Sequence, residues 1–191
     1  TWAQDGGTLM NQCIHNIDLL QWSLGGEPET VMAMTGNFLR DIQAEDFGAI
    51  LIRFKNGAIG IVEGTACVYP KNLEETLSIF GENGAAVIGG LAVNRVETWN
   101  FKEPAEQDKS VEALAGTDPK DVYGSGHNLL YANYINAVNT HTDPLVSGTE
   151  AIKAMKIILA AYKSQKTGQP VKFDDLSFST LDMSDSDVRY N

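Results

Sequence analysis

One face of a predicted helix near the start of the chain gathers side chains that are suited to proton transfer. Asn11, His15 and Asp18 recur at helical spacing, and Trp22 follows one turn later. A histidine side chain changes charge near neutral pH, so it can accept the proton that an alcohol loses on oxidation. The spacing predicts His15 as a general base, Asn11 as a ligand for a second substrate hydroxyl, and Asp18 as support for one imidazole tautomer.

The same residues have simpler interpretations. From spacing alone, a packed and hydrogen-bonded His15 without a catalytic role is the favoured one, and Asp18 could only cap or pair locally. A metal site would need a third ligand, and the neighbouring sequence does not offer one, so no metal is predicted.

A helix over residues 9–24 is expected to carry this face, because the segment contains neither Pro nor Gly. Thr8 is predicted as its N-cap, and Gly25-Gly26 are predicted to end it. Helices are also expected over 127–140 and, after a Ser147/Glu150 capping box, from 148 to about 166, before Gly168.

Between these helices the hydrophobic period changes to two, which is typical of strands. The predicted strands are 30–39, 47–54, 58–68, 72–80, 85–88 and 93–101, with an edge strand at 171–173. Lys55-Asn56-Gly57 and Glu82-Asn83-Gly84 predict tight turns, and 103–120 is expected to be a surface loop. We therefore expect one α+β domain over residues 1–191, with an open, largely antiparallel sheet and helices packed on one face.

The other face of that sheet needs a separate explanation. Segments 48–54 and 58–62 carry apolar side chains in both phases of the strand repeat. This favours burial of the second face in a contact between identical subunits, and the alternative is a sheet with one wet face.

The composition of the chain bears on its binding partners and on its location in the cell. The net charge of −11 argues against nucleic acid and anionic membranes, and no apolar run approaches the roughly 18 residues of a membrane span. Cys13 and Cys67 fit small apolar side chains in a reducing cytoplasm, which is the expected location.

Cofactor-binding motifs are missing from the sequence. Gly124-Ser125-Gly126 comes nearest to a dinucleotide fingerprint, but it lacks the third glycine and a preceding βαβ unit. The chain opens on Thr1-Trp2, without an initiator Met or a signal-like segment, so we expect it to be part of a longer protein.

Several motifs together resemble one family. The segment 6–22, which contains Gly6-Gly7 and His15, resembles the signature helix of the C-terminal domain in the Gfo/Idh/MocA (glucose–fructose oxidoreductase / inositol dehydrogenase) family. The further landmarks, in the expected order up to about Phe173, are Glu45-Asp46-Phe47-Gly48, the 55–57 turn, Pro70-Lys71-Asn72-Leu73-Glu74, 79–84, Gly126-His127 and 160–168.

The resemblance implies an N-terminal Rossmann domain, outside this chain, that binds NAD or NADP and carries the family's catalytic lysine. It implies that the present domain forms the substrate pocket, self-associates through its sheet into dimers or tetramers, and is inactive alone. The histidine that His15 matches is the usual proton acceptor. Inositol-type members have Asp where this chain has Asn11, and Asn cannot take a proton, so an Asp-assisted relay is in doubt.

Asn11-Gln12 and the Pro70 segment look more like members that oxidise nucleotide-linked N-acetyl sugar acids at the 3-hydroxyl. Lys71 and Asn72 could then face an anionic group of the substrate, or they could form a solvated strand start. The expected function is the substrate-binding and catalytic-histidine part of an NAD(P)-dependent oxidoreductase for a sugar, polyol or nucleotide-linked sugar. The alternative is a non-catalytic ligand-binding or assembly module that kept the fold.

Overall fold

Helices and antiparallel strands share the chain, so the predicted α+β class is confirmed, although the described strands form two open antiparallel sheets where one was expected. The computed structural model describes residues 1–90, 93–103, 105–106, 108, 111 and 126–190. The strands form two sheets, and the chain divides into two compact units, Thr1–Tyr69 with Gly148–Asn191 and Pro70–Ser147. The assignment of all 191 residues to one functional domain stays a prediction.

The strands are β1 (Pro28–Gly36), β2 (Phe47–Phe54), β3 (Ile59–Thr65), β4 (Leu77–Gly81), β5 (Gly84–Gly89), β6 (Arg95–Phe101) and β7 (Val171–Lys172). The helices are α1 (Thr8–Asn11), α2 (Ile14–Leu24), α3 (Gly126–Thr140) and α4 (Gly148–Thr167). Among the helices in the described residues, none is long and apolar enough to cross a membrane.

The first unit contains a four-stranded antiparallel sheet in the order β3-β2-β1-β7. Gly57 closes the predicted turn between β2 and β3 with a φ of 90°, where a side chain would be strained. The predicted edge strand is confirmed, because β7 pairs with β1 through Val171 and Lys172.

Helix α4 covers one face of this sheet. It starts directly after Ser147 and ends before Gly168, whose φ is 65°, as the sequence predicts. Ile157, Ile158 and Tyr162 are fully buried along it, opposite the inward side chains of β1. Burial of such large side chains is the main stabilising contribution in this layer.

The opposite face of the same sheet carries an apolar row. The register aligns Met32 on β1 with Leu51 on β2 and Ile61 on β3, and their exposed fractions are 38%, 49% and 75%. Apolar residues therefore do occupy both faces of these strands, as the sequence indicates. A subunit contact through this face stays a prediction.

The start of the chain differs from its prediction in two ways. The expected single helix over 9–24 is interrupted, because α1 ends at Asn11 and α2 begins at Ile14. The expected N-cap at Thr8 is wrong, since Gly7 occupies the cap position, with no side-chain cap, and Thr8 is the first helical residue. Both differences arise from contacts with distant residues, which are described below.

The second unit contains a three-stranded antiparallel sheet in the order β4-β5-β6, together with α3. The predicted turn at 82–83 is confirmed by the pairing of Gly81 with Gly84. β4 begins at Leu77 rather than at 72, because its ladder with β5 begins at Leu77. Most of the loop predicted at 103–120, and Gly124-Ser125, lie outside the described residues.

The segment after β7 folds back over the first unit, which the sequence did not predict. Its three short 3-10 turns are Phe173–Asp175, Thr180–Asp182 and Asp185–Asp187. The N–H of Asn37 donates to the carbonyl of Val188 at 2.8 Å, and the hydroxyl of Tyr190 donates to the carbonyl of Thr35 at 3.1 Å. These bonds tie the C-terminal segment to the end of β1 and to the loop that follows it.

Candidate functional site

The candidate proton acceptor, His15, is the second residue of α2, and its side chain is exposed. Asn11 ends α1 and is exposed too. Its side-chain oxygen accepts a hydrogen bond from the side-chain amide, Nε2, of Gln12. Asp18 is half-buried, and its Oδ1 accepts from Gln21 Nε2 at 3.3 Å. The exposed side chains of Asn11 and His15 are therefore accessible to a ligand, while the oxygens of Asn11 and Asp18 each accept from a neighbouring glutamine.

A wide turn separates Asn11 from His15. The N–H groups of Gln12 and Cys13 both donate to the carbonyl of Thr8, at 2.9 and 3.0 Å. The second of these bonds spans five residues instead of four, so the uniform face expected from the sequence is interrupted between Asn11 and His15. Turns of this width within helical segments frequently occur at functional sites.

Two glycines of the sheet make room for this segment. A Cβ on Gly48 would lie 2.6 Å from Cδ1 of Leu9, and a Cβ on Gly64 would lie 2.3 Å from Sγ of Cys13. Gly48 and Gly64 are direct cross-strand partners on β2 and β3. Together they form a seat on the sheet that α1 and the wide turn occupy at close range.

A buried carboxyl group holds the first turn of α1. Thr8 N–H donates to the backbone carbonyl of Glu45 at 2.9 Å, and Leu9 N–H donates to Glu45 Oε1 at 2.9 Å. Tyr162, on α4, donates its hydroxyl to the same Oε1 at 2.9 Å and accepts from Gly7 N–H at 3.3 Å. Glu45 therefore takes over the capping role that the sequence had suggested for Thr8.

Glu45 and its neighbour Asp46 are both buried, but their pKa values shift in opposite directions. Burial raises the pKa of Glu45 to about 7, against the lowering effect of its hydrogen bonds from Leu9 and Tyr162. For Asp46 burial acts in the same direction, but N–H donors from the 38–40 segment outweigh it and lower the pKa below its ordinary value of 3.8. Asp46 is thus a stable anion near neutral pH, and Glu45 is poised between its two states.

Sequence reasoning did not identify Glu45 or Tyr162 as parts of the site. In the sequence, Glu45 stands out only as part of a family-like segment, and Tyr162 only as part of the last helix. The available signal was the acidic pair Glu45-Asp46 before a strongly apolar strand, where a charge is costly unless it is hydrogen-bonded.

Lys71 and Asn72, the predicted ligands for an anionic group, belong to the second unit. Both are exposed, in the irregular segment that precedes β4. Their role as substrate ligands stays a prediction.

An open groove of about 610 Å³ lies at the far end of α2 from His15. Its walls come from the end of α2, the start of β1, the start of α4 and the 173–176 segment, with Trp22, Lys153 and Asp174 among the lining residues. Neither Asn11 nor His15 lines it, so this groove is separate from the candidate site.

A sequence model described as "Oxidoreductase family, C-terminal alpha/beta domain" (GFO_IDH_MocA_C) matches residues 1–173. This chain belongs to the Gfo/Idh/MocA oxidoreductase family. The match covers most of the chain and confirms the resemblance that the first helix and the last helix carry.

Several similar proteins are dehydrogenases. The WlbA dehydrogenase of Bordetella pertussis, solved with NADH and UDP-GlcNAcA, is 38% identical, with a TM-score of 0.80 over 88% of this chain and 48% of that chain. Myo-inositol 2-dehydrogenase of Thermotoga maritima is 25% identical over 177 residues, which are 90% of this chain and 50% of that protein. For scyllo-inositol 2-dehydrogenase (NAD(+)) of Bacillus subtilis the identity is 24% over 174 residues, 88% of this chain and 48% of that protein. The chain spans about half the length of these relatives.

The described residues do not contain a Rossmann site for a nicotinamide dinucleotide. A Rossmann site requires parallel strands joined by a helix, with a glycine-rich turn at the helix start. Every strand pair in the described part of this Gfo/Idh/MocA chain is antiparallel. Within the same residues, no three His, Cys, Asp or Glu side chains gather in a way that could hold a metal ion.

Proposed function

We propose that this chain is the substrate-binding and proton-accepting part of an NAD(P)-dependent oxidoreductase that acts on a hydroxyl group of a nucleotide-linked sugar, or of a related sugar or polyol. The observation that carries the proposal is an exposed His15 four residues after an exposed Asn11, on a segment seated directly on the sheet. Family membership supports oxidoreductase chemistry for that histidine.

His15 and Asn11 have distinct tasks in this proposal. Oxidation of an alcohol removes a hydride and a hydroxyl proton, and a nicotinamide supplies the hydride acceptor. His15 takes the proton as general base, and the Asn11 amide orients the substrate by hydrogen-bonding a neighbouring hydroxyl. Asn11 cannot take a proton, so His15 carries the proton transfer among the residues of this segment, with a lysine of an N-terminal domain as the other candidate base.

A nucleotide-linked sugar is the favoured substrate class for a specific reason. Identity to the WlbA dehydrogenase solved with UDP-GlcNAcA is 38%, against 25% for the myo-inositol dehydrogenase. Such a substrate carries anionic groups, and Lys71 with Asn72 are the proposed ligands for one of them. The matched length, about half of the relatives, supports an N-terminal domain outside these residues that binds NAD or NADP.

The whole protein is proposed to be a cytoplasmic homo-oligomer. The support for self-association is the aligned row Met32, Leu51 and Ile61 on the sheet face opposite α4, because an exposed apolar row of this kind favours a subunit contact. A ligand-binding or assembly module without catalysis is the second candidate, and the absence of a dinucleotide site from the described residues favours it for the chain in isolation.

The test replaces His15 by Asn in the full-length protein. Turnover should fall by roughly 10²-fold or more, with the dissociation constant for the nicotinamide unchanged. His141→Asn is the matched control, because His141 is exposed and has a φ of 55°, a conformation that Asn tolerates.

Each outcome discriminates between the candidates. Near-normal turnover of the His15 variant would remove this residue from the chemistry. A protein that lacks turnover in its unaltered form, and shows no thermal shift with UDP-linked sugars, would favour the non-catalytic module. The 191-residue chain alone should not reduce NAD or NADP.

A further inference from the structure

Helix α1 is too short to hold its own geometry. It has four residues and no side-chain cap, whereas isolated helices need roughly 12–15 residues to be even marginally stable in water. The first N–H groups of any helix lack partners within the helix, so they must find acceptors elsewhere. The direction in which α1 leaves the Gly6-Gly7 loop, and with it the placement of Asn11 and His15, depends on those acceptors.

Glu45 supplies two of them from a remote part of the chain. Its backbone carbonyl binds Thr8 N–H and its carboxyl Oε1 binds Leu9 N–H, so a single residue fixes two successive donors of the first turn. The remaining oxygen, Oε2, is buried and has no hydrogen-bond partner among the described residues. It occupies the space that a side chain on Gly7 would need, since a Cβ there would lie 2.0 Å from it.

Glu45 is itself held from two sides. On its own loop, Asp46 accepts N–H bonds from Phe38, Leu39 and Arg40, at 2.9, 2.7 and 2.8 Å. From α4, Tyr162 is fully buried, donates to Oε1, and packs edge-on against Trp2 with ring centroids 5.1 Å apart. A carboxyl group with so little freedom can transmit a fixed geometry to α1.

We infer that Glu45 is a positioning residue, which with Tyr162 orients the α1 segment so that Asn11 and His15 present their side chains to the substrate. This inference rests on the proposed function for the roles of Asn11 and His15. Glu45 is fully buried and hydrogen-bonds the first turn of α1, so its proposed effect on turnover passes through α1.

Three substitutions separate positioning from simple support of the fold. Glu45→Leu removes the carboxyl acceptor, and Glu45→Gln keeps an oxygen acceptor. Tyr162→Phe leaves Glu45 in place but removes the hydroxyl that donates to Glu45 Oε1 and accepts from Gly7 N–H. Glu29→Leu on β1 is the matched control, because Glu29 is exposed. If Glu45→Leu does not fold, the comparison of Tyr162→Phe with Glu45→Gln still decides.

The first measurement uses nuclear magnetic resonance on the 191-residue chain and needs no activity. Glu45→Leu should speed hydrogen exchange at the Leu9 amide by about tenfold or more and should shift the His15 imidazole signal. Glu45→Gln should stay near the unsubstituted chain, Tyr162→Phe should fall between the two, and Glu29→Leu should change neither signal. Unchanged Leu9 exchange and an unchanged His15 signal in Glu45→Leu and Tyr162→Phe would overturn the inference.

The second measurement uses the full-length enzyme. Glu45→Leu should lower kcat by about tenfold or more while the nicotinamide dissociation constant is unchanged, and Glu45→Gln should recover most of the loss. Equal losses in the Gln and Leu variants would contradict an acceptor-based role. If the first measurement succeeds while His15→Asn has normal turnover, Glu45 still positions the segment and the proposed function is what fails.

Discussion

Replacing Glu45 by glutamine should remove a pH dependence of stability that burial of its carboxyl group creates. The side chain has no exposed surface, and its pKa is raised from the ordinary 4.5 to about 7. Glutamine keeps the shape and one acceptor oxygen but does not titrate. The difference in stability between the variant and the unsubstituted chain therefore isolates this one group.

The direction follows from proton binding in the two states. Between pH 4.5 and about 7 the folded chain keeps the Glu45 proton while the unfolded chain releases it. Stability from this group is thus fully present below 4.5 and is lost as the pH rises to about 7. With 1.36 kcal/mol per pKa unit, the interval corresponds to about 3 kcal/mol in the free energy of unfolding. Asp46 and Asp187 have lowered pKa values, so their contributions disappear only on acidification toward and below 3.8.

The assay is urea unfolding of the 191-residue chain at several values between pH 4.5 and 8. Trp2 is 5% exposed and packs on Tyr162, so its fluorescence reports this cluster once Trp22 and Trp99 are replaced by Phe. Relative to the unsubstituted chain, Glu45→Gln should gain about 3 kcal/mol across the interval, and Glu29→Gln should gain nothing. A constant difference between Glu45→Gln and the unsubstituted chain would refute the reasoning.

Two further predictions concern the seat and the outer sheet face. Gly64→Ala should lower the free energy of unfolding by about 1–3 kcal/mol in the same assay, because Sγ of Cys13 would lie 2.3 Å from the new Cβ. Adding Cys13→Ala should restore much of that loss. Additive effects of the two substitutions would contradict the close packing of Cys13 on Gly64. Leu51→Asp, on the sheet face opposite α4, should shift the protein toward monomer in light scattering, with unchanged far-ultraviolet circular dichroism. Leu181→Asp, at another exposed leucine, should leave the oligomer intact. An intact oligomer in the Leu51 variant would exclude this sheet face as the subunit contact.

Local patterns predicted most of the sheet. The turns at 55–57 and 82–83 were identified correctly because Asn-Gly sequences encode them without help from the rest of the chain. β2 matches its predicted bounds, Phe47–Phe54. The start of β4 was predicted too early, because residues 72–76 lie outside the ladder with β5, which begins at the pair Leu77 and Ile88.

The interruption between α1 and α2 could not be predicted in the same way. Residues 9–24 contain no helix breaker, and both halves do form helix. The wide turn arises where Cys13 packs onto Gly64, on a strand that is distant in sequence. Glu45 and Tyr162 escaped prediction for a related reason, because their hydrogen bond joins residues 117 positions apart.

The placement of Asn11 and His15, the candidate chemical groups, therefore depends on tertiary structure. The residue types of Asn11 and His15 can be read from the sequence. The relative orientation of their side chains, however, is set by the wide turn, the glycine seat and the Glu45 carboxyl. An exposed candidate base at the start of α2, joined to the four-residue α1 by a wide turn, would otherwise sample many orientations, and misplacement by about 1 Å can cost a hundredfold in rate. Burial of the Glu45 carboxyl lowers the free energy of unfolding above pH 7, and the fixed placement of Asn11 and His15 explains why such a cost is kept. On this reasoning, stabilising changes at Glu45 should come at the expense of turnover whenever they remove the acceptor for Leu9 N–H.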